Sequence, residues 1–273
     1  MNSINAVILA GGTASEEIRA LTGVNNRALI PLAGRPMIDY VVDALAGSTS
    51  IEKILVVGNV PESGRYDVVP DQGSLFDNLV AGLRAATPLP QPLSPPGKGA
   101  SSEYALVSTS DIPFLTSAAV DDFVRQASER AVDIAYPIVE MGAYRGRFGD
   151  MKRTTVKLRE GEFTGGNLML LRTEFIIGQP ERIKAAYAAR KDIFKLGLLL
   201  GPNVLFRLIV SQTLAPSMLS LPAVEAAAAR VLGPGSTVAA VATSYPEIGT
   251  DVDKPADIDA AERILSAAIP SGR

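Results

Sequence analysis

The segment AVILAGG, residues 6–12, is an apolar strand that empties into paired glycines. After an insertion, NRALIPLAGRPM, residues 26–37, brings in Arg27 ahead of Gly34-Arg35-Pro36. A strand ending in a small-residue loop lets backbone N–H groups approach a phosphate closely, because glycine has no Cβ in the way and tolerates positive φ. A plain tight βα turn needs the same glycines, so both readings stand at this point. Downstream, strand-length apolar runs at Ala6 to Ala10, Ile54 to Val57 and Tyr104 to Ser108 alternate with helical patterns at Met37 to Ala46 and Leu75 to Ala86. This alternation implies parallel strands joined by crossover helices. Met37, Ile38, Val41, Val42 and Leu45 fall on one helical stripe and read as core.

The composition narrows the chemistry. With 273 residues and 47% hydrophobic content, the chain can bury a large core, and residues 1–273 are expected to form one domain. The 26 Lys and Arg against 29 Asp and Glu leave a net charge of -3, which points away from nucleic acid and from membrane surfaces. The absence of Cys and His removes disulfides, thiolate nucleophiles, imidazole bases and the usual zinc ligands. Chemistry then falls to carboxylates, cations, hydroxyls and backbone, a set suited to Mg²⁺ and its preference for oxygen. MNSIN runs directly into a strand with no leader pattern, so a cytoplasmic protein is expected. The apolar stretch Ile193 to Val210 is interrupted by Lys195, Gly201-Pro202 and Arg207 and is not expected to span a bilayer.

The second half is less regular. TPLPQPLSPPGKGASS, residues 87–102, has five prolines and reads as a surface loop. A helix is expected over Ala118 to Ala127 and a strand over Ile134 to Val139. Between Gly142 and Gly166, glycines are interleaved with Arg145, Arg147, Lys152, Arg153, Lys157 and Arg159, and Thr154 to Leu158 with Asn167 to Leu171 reads as a strand pair outside the main rhythm. Residues 180–233 read as a helix-rich insertion, with a cap over an acceptor site or a homo-oligomer contact as its two open roles. A strand over Thr237 to Ala242 and a helix over Pro255 to Ala268 complete the pattern, with Asp257 and Asp259 near the positive end of that helix.

Two acidic segments are candidates, the first of them where ligands of open α/β sheets gather, at a strand carboxyl end. Ser110-Asp111-Ile112-Pro113 follows the strand that ends at Ser108, and Asp251-Val252-Asp253-Lys254-Pro255 precedes the last helix. The two carboxylates of the second segment are expected to point apart, so that one of them meets Asp111 across a metal. Asp253 is the first choice and Asp251 the second. A turn or helix cap is the competing role for Asp111.

Taken together, LAGG at 9–12, NRALIPLAGRPM at 26–37, SDIP at 110–113, GGN at 165–167 and DVDKPADI at 251–258 resemble the MobA-like nucleotidyltransferases of the GT-A type. The resemblance implies a Rossmann-like, mostly parallel mixed sheet flanked by helices, with a small β-hairpin acceptor region. It also implies transfer of a nucleoside monophosphate from an NTP to a phosphorylated acceptor, with release of pyrophosphate. On this resemblance Leu9, Ala10, Gly11 and Gly12 contact the nucleotide, and Gln72, Gly73 and Ser74 lie where the base is read. Asp111 and Asp253 hold Mg²⁺, and Lys152, Arg153, Gly166 and Asn167 face the acceptor. Two features depart from the family pattern. The loop reads GGTASEEIRA, with Glu16 and Glu17 where triphosphate is expected and Arg19 as its nearest cation. The usual lysine is Arg27, expected to stabilise the α-phosphate and departing pyrophosphate and able to hold phosphate through two nitrogens. The readings set against transfer are a GT-A glycosyltransferase and a catalytically weak, nucleotide-binding regulatory protein.

Overall fold

The computed structural model describes residues 3–87, 103–149, 151–189 and 219–268. The proline-rich run and the apolar stretch Ile193 to Val210 fall almost wholly outside these residues. The first half follows the expected alternation: β1 (Ile4–Leu9), the short helix α1 (Glu16–Thr22), the hairpin of β2 (Pro31–Leu32) and β3 (Arg35–Pro36), α2 (Met37–Ala46), β4 (Ile51–Val57), β5 (Asp67–Val69), α3 (Leu75–Ala86) and β6 (Tyr104–Thr109). The chain continues through α4 (Ser117–Arg130), β7 (Ile134–Glu140), α5 (Met141–Phe148), β8 (Val156–Leu158), β9 (Gly161–Gly165) and β10 (Leu168–Arg172). Then come α6 (Thr173–Gly178), α7 (Pro180–Ala189), α8 (Leu221–Leu232), β11 (Val238–Thr243) and α9 (Pro255–Ala268).

Nine strands form one mixed sheet in the order β5-β4-β1-β6-β10-β7-β9-β8, with β11 added alongside β7. The strands β5, β4, β1 and β6 are mutually parallel, and β1 aligns Leu9 with both Val57 and Thr109. Their carboxyl ends therefore finish level with one another. From Ala6 to Leu9, β1 reads as an unbroken apolar run because both of its faces are covered. Ala6 and Ile8 join a core with Met37, Val41 and Leu45 of α2, Phe123 of α4 and Ile258 of α9. Val7 and Leu9 join another with Phe76, Leu79 and Leu83 of α3, Ile176 of α6 and Ile183 of α7.

The hairpin region differs from the expected pairing. β8 pairs antiparallel with β9, while Leu168–Arg172 lies inside the main sheet, antiparallel to both β6 and β7. The reason is burial: Leu168, Leu170 and Leu171 are core residues, and a strand with that much apolar surface is stable between two others rather than at an edge. The basic stretch after β7 also begins with a helix, α5, whose Tyr144 and Phe148 are fully buried. Its glycines hid that helix, since glycine lowers helix propensity by about 1 kcal/mol each. α8 packs Leu221, Ala223 and Val224 toward a small third core made by Leu158, Phe163 and Leu219. The end of the helix-rich segment is thereby fixed to the β8–β9 hairpin.

Candidate active site

The order β4-β1-β6 places the crossover helices on opposite faces of the sheet, and a crevice opens at the carboxyl ends of β1 and β6. A cleft of about 210 Å³ occupies it, lined by Leu9, Gly11, Gly12, Arg27, Asp71, Gly73, Ser74, Leu75, Asn78 and Thr109 to Asp111.

Each wall has a local cause. Ala10 N–H donates to Val57 O at 2.8 Å, which ties the glycine loop to the end of β4. Gly58, at φ +152, passes so close that a Cβ there would stand 2.5 Å from the Ala10 carbonyl carbon. A Cβ on Gly11 would collide with Asn78 Nδ2 and come within 2.9 Å of Asp71 Oδ1, so the loop takes glycine because it lies against side chains. Those two side chains organise the opposite wall. Asn78 Nδ2 donates to Asp71 Oδ1 at 2.7 Å, Gln72 N–H donates to Asn78 Oδ1 at 2.6 Å, and Gly73 N–H donates to Asp71 Oδ1 at 3.2 Å. Ser74 caps α3, accepting from Asp77 N–H at 3.1 Å. The Gln72 side chain folds back onto Pro70 O at 2.7 Å and does not line the cleft. Sequence reasoning missed Asp71 and Asn78; the available signal was a polar Asn on the buried face of a helix whose other inward residues are Phe76, Leu79 and Leu83.

The insertion after Gly12 leaves Arg27 in place. Thr13 bridges to Asn26, Ala14 N–H donates to Asn25 O, and Arg27 N–H donates to Gly12 O at 2.9 Å, so the excursion is closed at its base. Within it, Glu16 and Glu17 form the first turn of α1 behind the Ser15 cap, where negative charge suits the helix N-terminus. Arg19 is exposed on the same helix and is not among the cleft residues.

Three carboxylates converge around Asp111, which lines the cleft. Val252 N–H donates to Asp111 O at 2.9 Å, joining the segment after β6 to the one before α9. Asp257 caps α9 by accepting from the N–H groups of Asp253 and Lys254 at 3.1 and 3.0 Å. One carboxylate oxygen from each of Asp111, Asp251 and Asp253 lies within 4.8 Å of the others. Both carboxylates of the pair thus meet Asp111, contrary to the expected divergence, since alternate residues of an extended segment share a face. Arg27 Nη1 donates to Asp111 Oδ2 at 2.9 Å and also to Asp253, and Arg153 pairs with Asp251. Asp111 is 8% exposed, and its Oδ1 is buried without a hydrogen-bond partner. An all-oxygen donor set with an orphaned buried carboxylate oxygen fits a hard divalent cation.

At the far side, Gly166 N–H donates to Pro137 O and Asn167 N–H to Ile248 O, which sets the turn between β9 and β10 against the segment leading to Asp251. The Asn167 carbonyl accepts from Thr109 N–H at 3.1 Å, while Asn167 Nδ2 and Thr109 Oγ1 are buried with no partner. Lys152 is exposed. Of the six cations in this region, Arg145 pairs with Glu162, Arg147 with the buried Glu247, and Arg153 with Asp251.

Known proteins resemble this chain over most of its length. The family described as MobA-like NTP transferase domain matches residues 6–233, a span that ends before Asp251 and Asp253. A hypothetical transferase from Thermus thermophilus is 35% identical, with a TM-score of 0.76 over 94% of this chain and 99% of that one. Among curated proteins, a mannose-1-phosphate guanylyltransferase regulatory subunit alpha from Drosophila melanogaster is 33% identical over 82 residues, 30% of this chain. The bifunctional protein GlmU from Burkholderia thailandensis is 32% identical over 137 residues, 50% of this chain. The matched regions amount to 19% and 27% of those two proteins.

Proposed function

We propose that this chain, which belongs to the MobA-like NTP transferase domain family, transfers a nucleoside monophosphate from an NTP to a phosphorylated small molecule and releases pyrophosphate. The observation that carries this reading is the cleft at the carboxyl ends of β1 and β6, where the glycine loop, Arg27 and Asp111 meet, with Asp251 and Asp253 clustered against Asp111. In this reading residues 1–273 work as one domain, since the site draws on side chains from Leu9 to Asp253.

Leu9, Ala10, Gly11 and Gly12 receive the nucleotide, with the Asp71 to Ser74 turn opposite them. Arg27 faces the phosphates and offsets charge on the α-phosphate and the departing pyrophosphate. Asp111 and Asp253, with Asp251 beside them, would hold Mg²⁺; when bound it would neutralise phosphate charge. Gly166 and Asn167 bound the acceptor side, where Asn167 Nδ2 is buried without a partner. Lys152 adds positive charge there, and Arg153 does so once Asp251 is otherwise neutralised. An acceptor phosphate oxygen forms the new bond to the α-phosphorus while the bond to the α–β bridging oxygen breaks, and its electron pair leaves with pyrophosphate. The nucleophile is already anionic near neutral pH, so the site needs orientation more than a base, in keeping with a chain that has no His.

A thermal-shift screen of the four NTPs with Mg²⁺, followed by pyrophosphate detection with sugar 1-phosphates and other phosphorylated alcohols, tests the proposal. One NTP should raise the melting temperature, and at least one acceptor should give pyrophosphate in equal amount to nucleotidylated product. Absence of any NTP-dependent shift would end the reading. The 82-residue similarity to a regulatory subunit favours a second reading, nucleotide binding without turnover. A thermal shift with no pyrophosphate across the acceptor panel would select it. Among the described residues no helix is long and apolar enough to cross a membrane.

A further inference from the structure

We infer that Arg27 and Arg153 are resident counter-cations of the aspartate trio, displaced when a divalent cation binds, so that metal entry frees one arginine toward each of the two anionic ligands. The inference rests on the nucleotidyl-transfer reading and adds a coupling within that site. Arg27 engages two of the three carboxylates and Arg153 the third. A divalent cation on the same three carboxylates would compete with both guanidinium groups for their negative charge, and two cations held this close repel.

The Arg27 contacts have the form of an exchangeable arrangement. A guanidinium binds carboxylate most strongly through two parallel N–H bonds. Here a single nitrogen, Nη1, serves both Asp111 and Asp253, and Arg27 Nε is buried with no partner. Asp111 Oδ1 is also uncommitted, which leaves an oxygen available for a cation before the arginine departs. Direction matters as well. Arg27 lines the cleft beside the glycine loop, whereas Arg153 lies on the stretch that leads into β8, toward the acceptor side. Each arginine, once released, stands next to a different phosphate-bearing ligand. By linkage, anionic ligands that draw the arginines away must in turn tighten metal binding by the same factor.

The test is Mn²⁺ binding to the full-length, nucleotide-free protein, followed by electron paramagnetic resonance, for wild type, Arg27→Met, Arg153→Met and Lys152→Met. Lys152→Met removes the same charge from an exposed neighbour and reports the general electrostatic effect. Arg27→Met and Arg153→Met should each tighten Mn²⁺ about fivefold or more, the lower end of typical couplings. Lys152→Met should change it less than about twofold, as expected for a screened surface charge. Equal tightening by Lys152→Met, or no tightening by the arginine variants, would overturn the inference. If all four proteins bind Mn²⁺ equally, the coupling fails while the metal site of the proposed function stands; if none binds it, both fail. Should an arginine variant not fold by circular dichroism, the wild type carries the test alone. Mg²⁺ without nucleotide should shift the side-chain ¹⁵N resonances of Arg27 and Arg153, and unshifted resonances at saturating Mg²⁺ would refute displacement.

Discussion

Replacing Asp111 with Asn separates what the carboxylate does for the reaction from what it does for the fold. In the folded protein Asp111 faces two other carboxylates within 4.8 Å, each worth about 3.5 kcal/mol of repulsion at an effective dielectric of about 20, or about 7 kcal/mol together. Against this stands Arg27 at 2.9 Å, worth about 6 kcal/mol of attraction on the same scale. Arg153 offsets part of the Asp251 repulsion, so the remainder is a small net attraction. Asn keeps the shape, and its carbonyl oxygen still accepts from Arg27, so Asp111→Asn should change metal-free stability by no more than about 1–2 kcal/mol. Its effect on turnover should be far larger. A carboxylate that would hold the cation neutralising phosphate charge is worth roughly 3–4 kcal/mol in the transition state, which corresponds to about 10²–10³ in rate. Urea denaturation in chelator gives the first quantity, and pyrophosphate release with the preferred NTP gives the second. A variant that unfolds several kcal/mol more easily would make Asp111 a structural strut. A variant that keeps wild-type turnover would remove it from the active site.

Three further substitutions test the packing around the site. Gly82→Ala on α3 should lose about 1–2 kcal/mol in a urea titration, although helix propensity alone favours Ala by about 1 kcal/mol, because overpacking outweighs it. The added methyl would meet Val7 and stand 2.8 Å from Val57 Cγ2; a stabilised variant would show that this packing is wrong. Arg147→Met should cost about 2–3 kcal/mol by stranding Glu247, whose carboxylate is 2% exposed and otherwise held by Thr116. Adding Glu247→Gln to that variant should recover part of the loss, and a double variant worse than the single would refute the pairing. For Asp121, burial pushes the carboxyl up, but hydrogen bonds from Ser48 and Ser50 and the backbone N–H groups of Thr49 and Ser50 outweigh it and hold the group below the usual 3.8. A lowered folded value means stability that is present above the ordinary Asp range and lost as pH falls through the folded value. Asp121→Asn should therefore cost about 1–2 kcal/mol at pH 7, with the gap to wild type closing in acid; a gap that stays constant down to pH 3 would contradict the assigned hydrogen bonds.

What was legible in the sequence tracks the range of the forces involved. α2, α3 and α9 begin and end where their patterns place them, at Met37–Ala46, Leu75–Ala86 and Pro255–Ala268. In each case the residues that cap the helix and those that form its apolar stripe lie within a dozen positions of one another. The misread strand pair failed for the opposite reason. Whether Leu168–Arg172 sits beside β8 or between β6 and β7 depends on partners 35 to 68 residues away, and its own apolar run suits either place.

The same distinction explains the site. Gly11-Gly12, Arg27 and Asp111 announce themselves because each lies in a local string of unusual residues. The features that define their setting do not: Asn78 meets Gly11 across 67 positions, and Arg153 meets Asp251 across 98. Arg153 shows the consequence most clearly. Read along the chain, it belongs to a run of six cations and reads as a surface waiting for an anion. In the folded protein it is 17% exposed and spent on Asp251. Its charge becomes available to a phosphate only if something else neutralises that carboxylate. A cation count taken from sequence therefore overstates the metal-free attraction of this site for anions, and the affinity for a phosphorylated ligand should depend on the divalent cation more steeply than the ligand's own chelation accounts for.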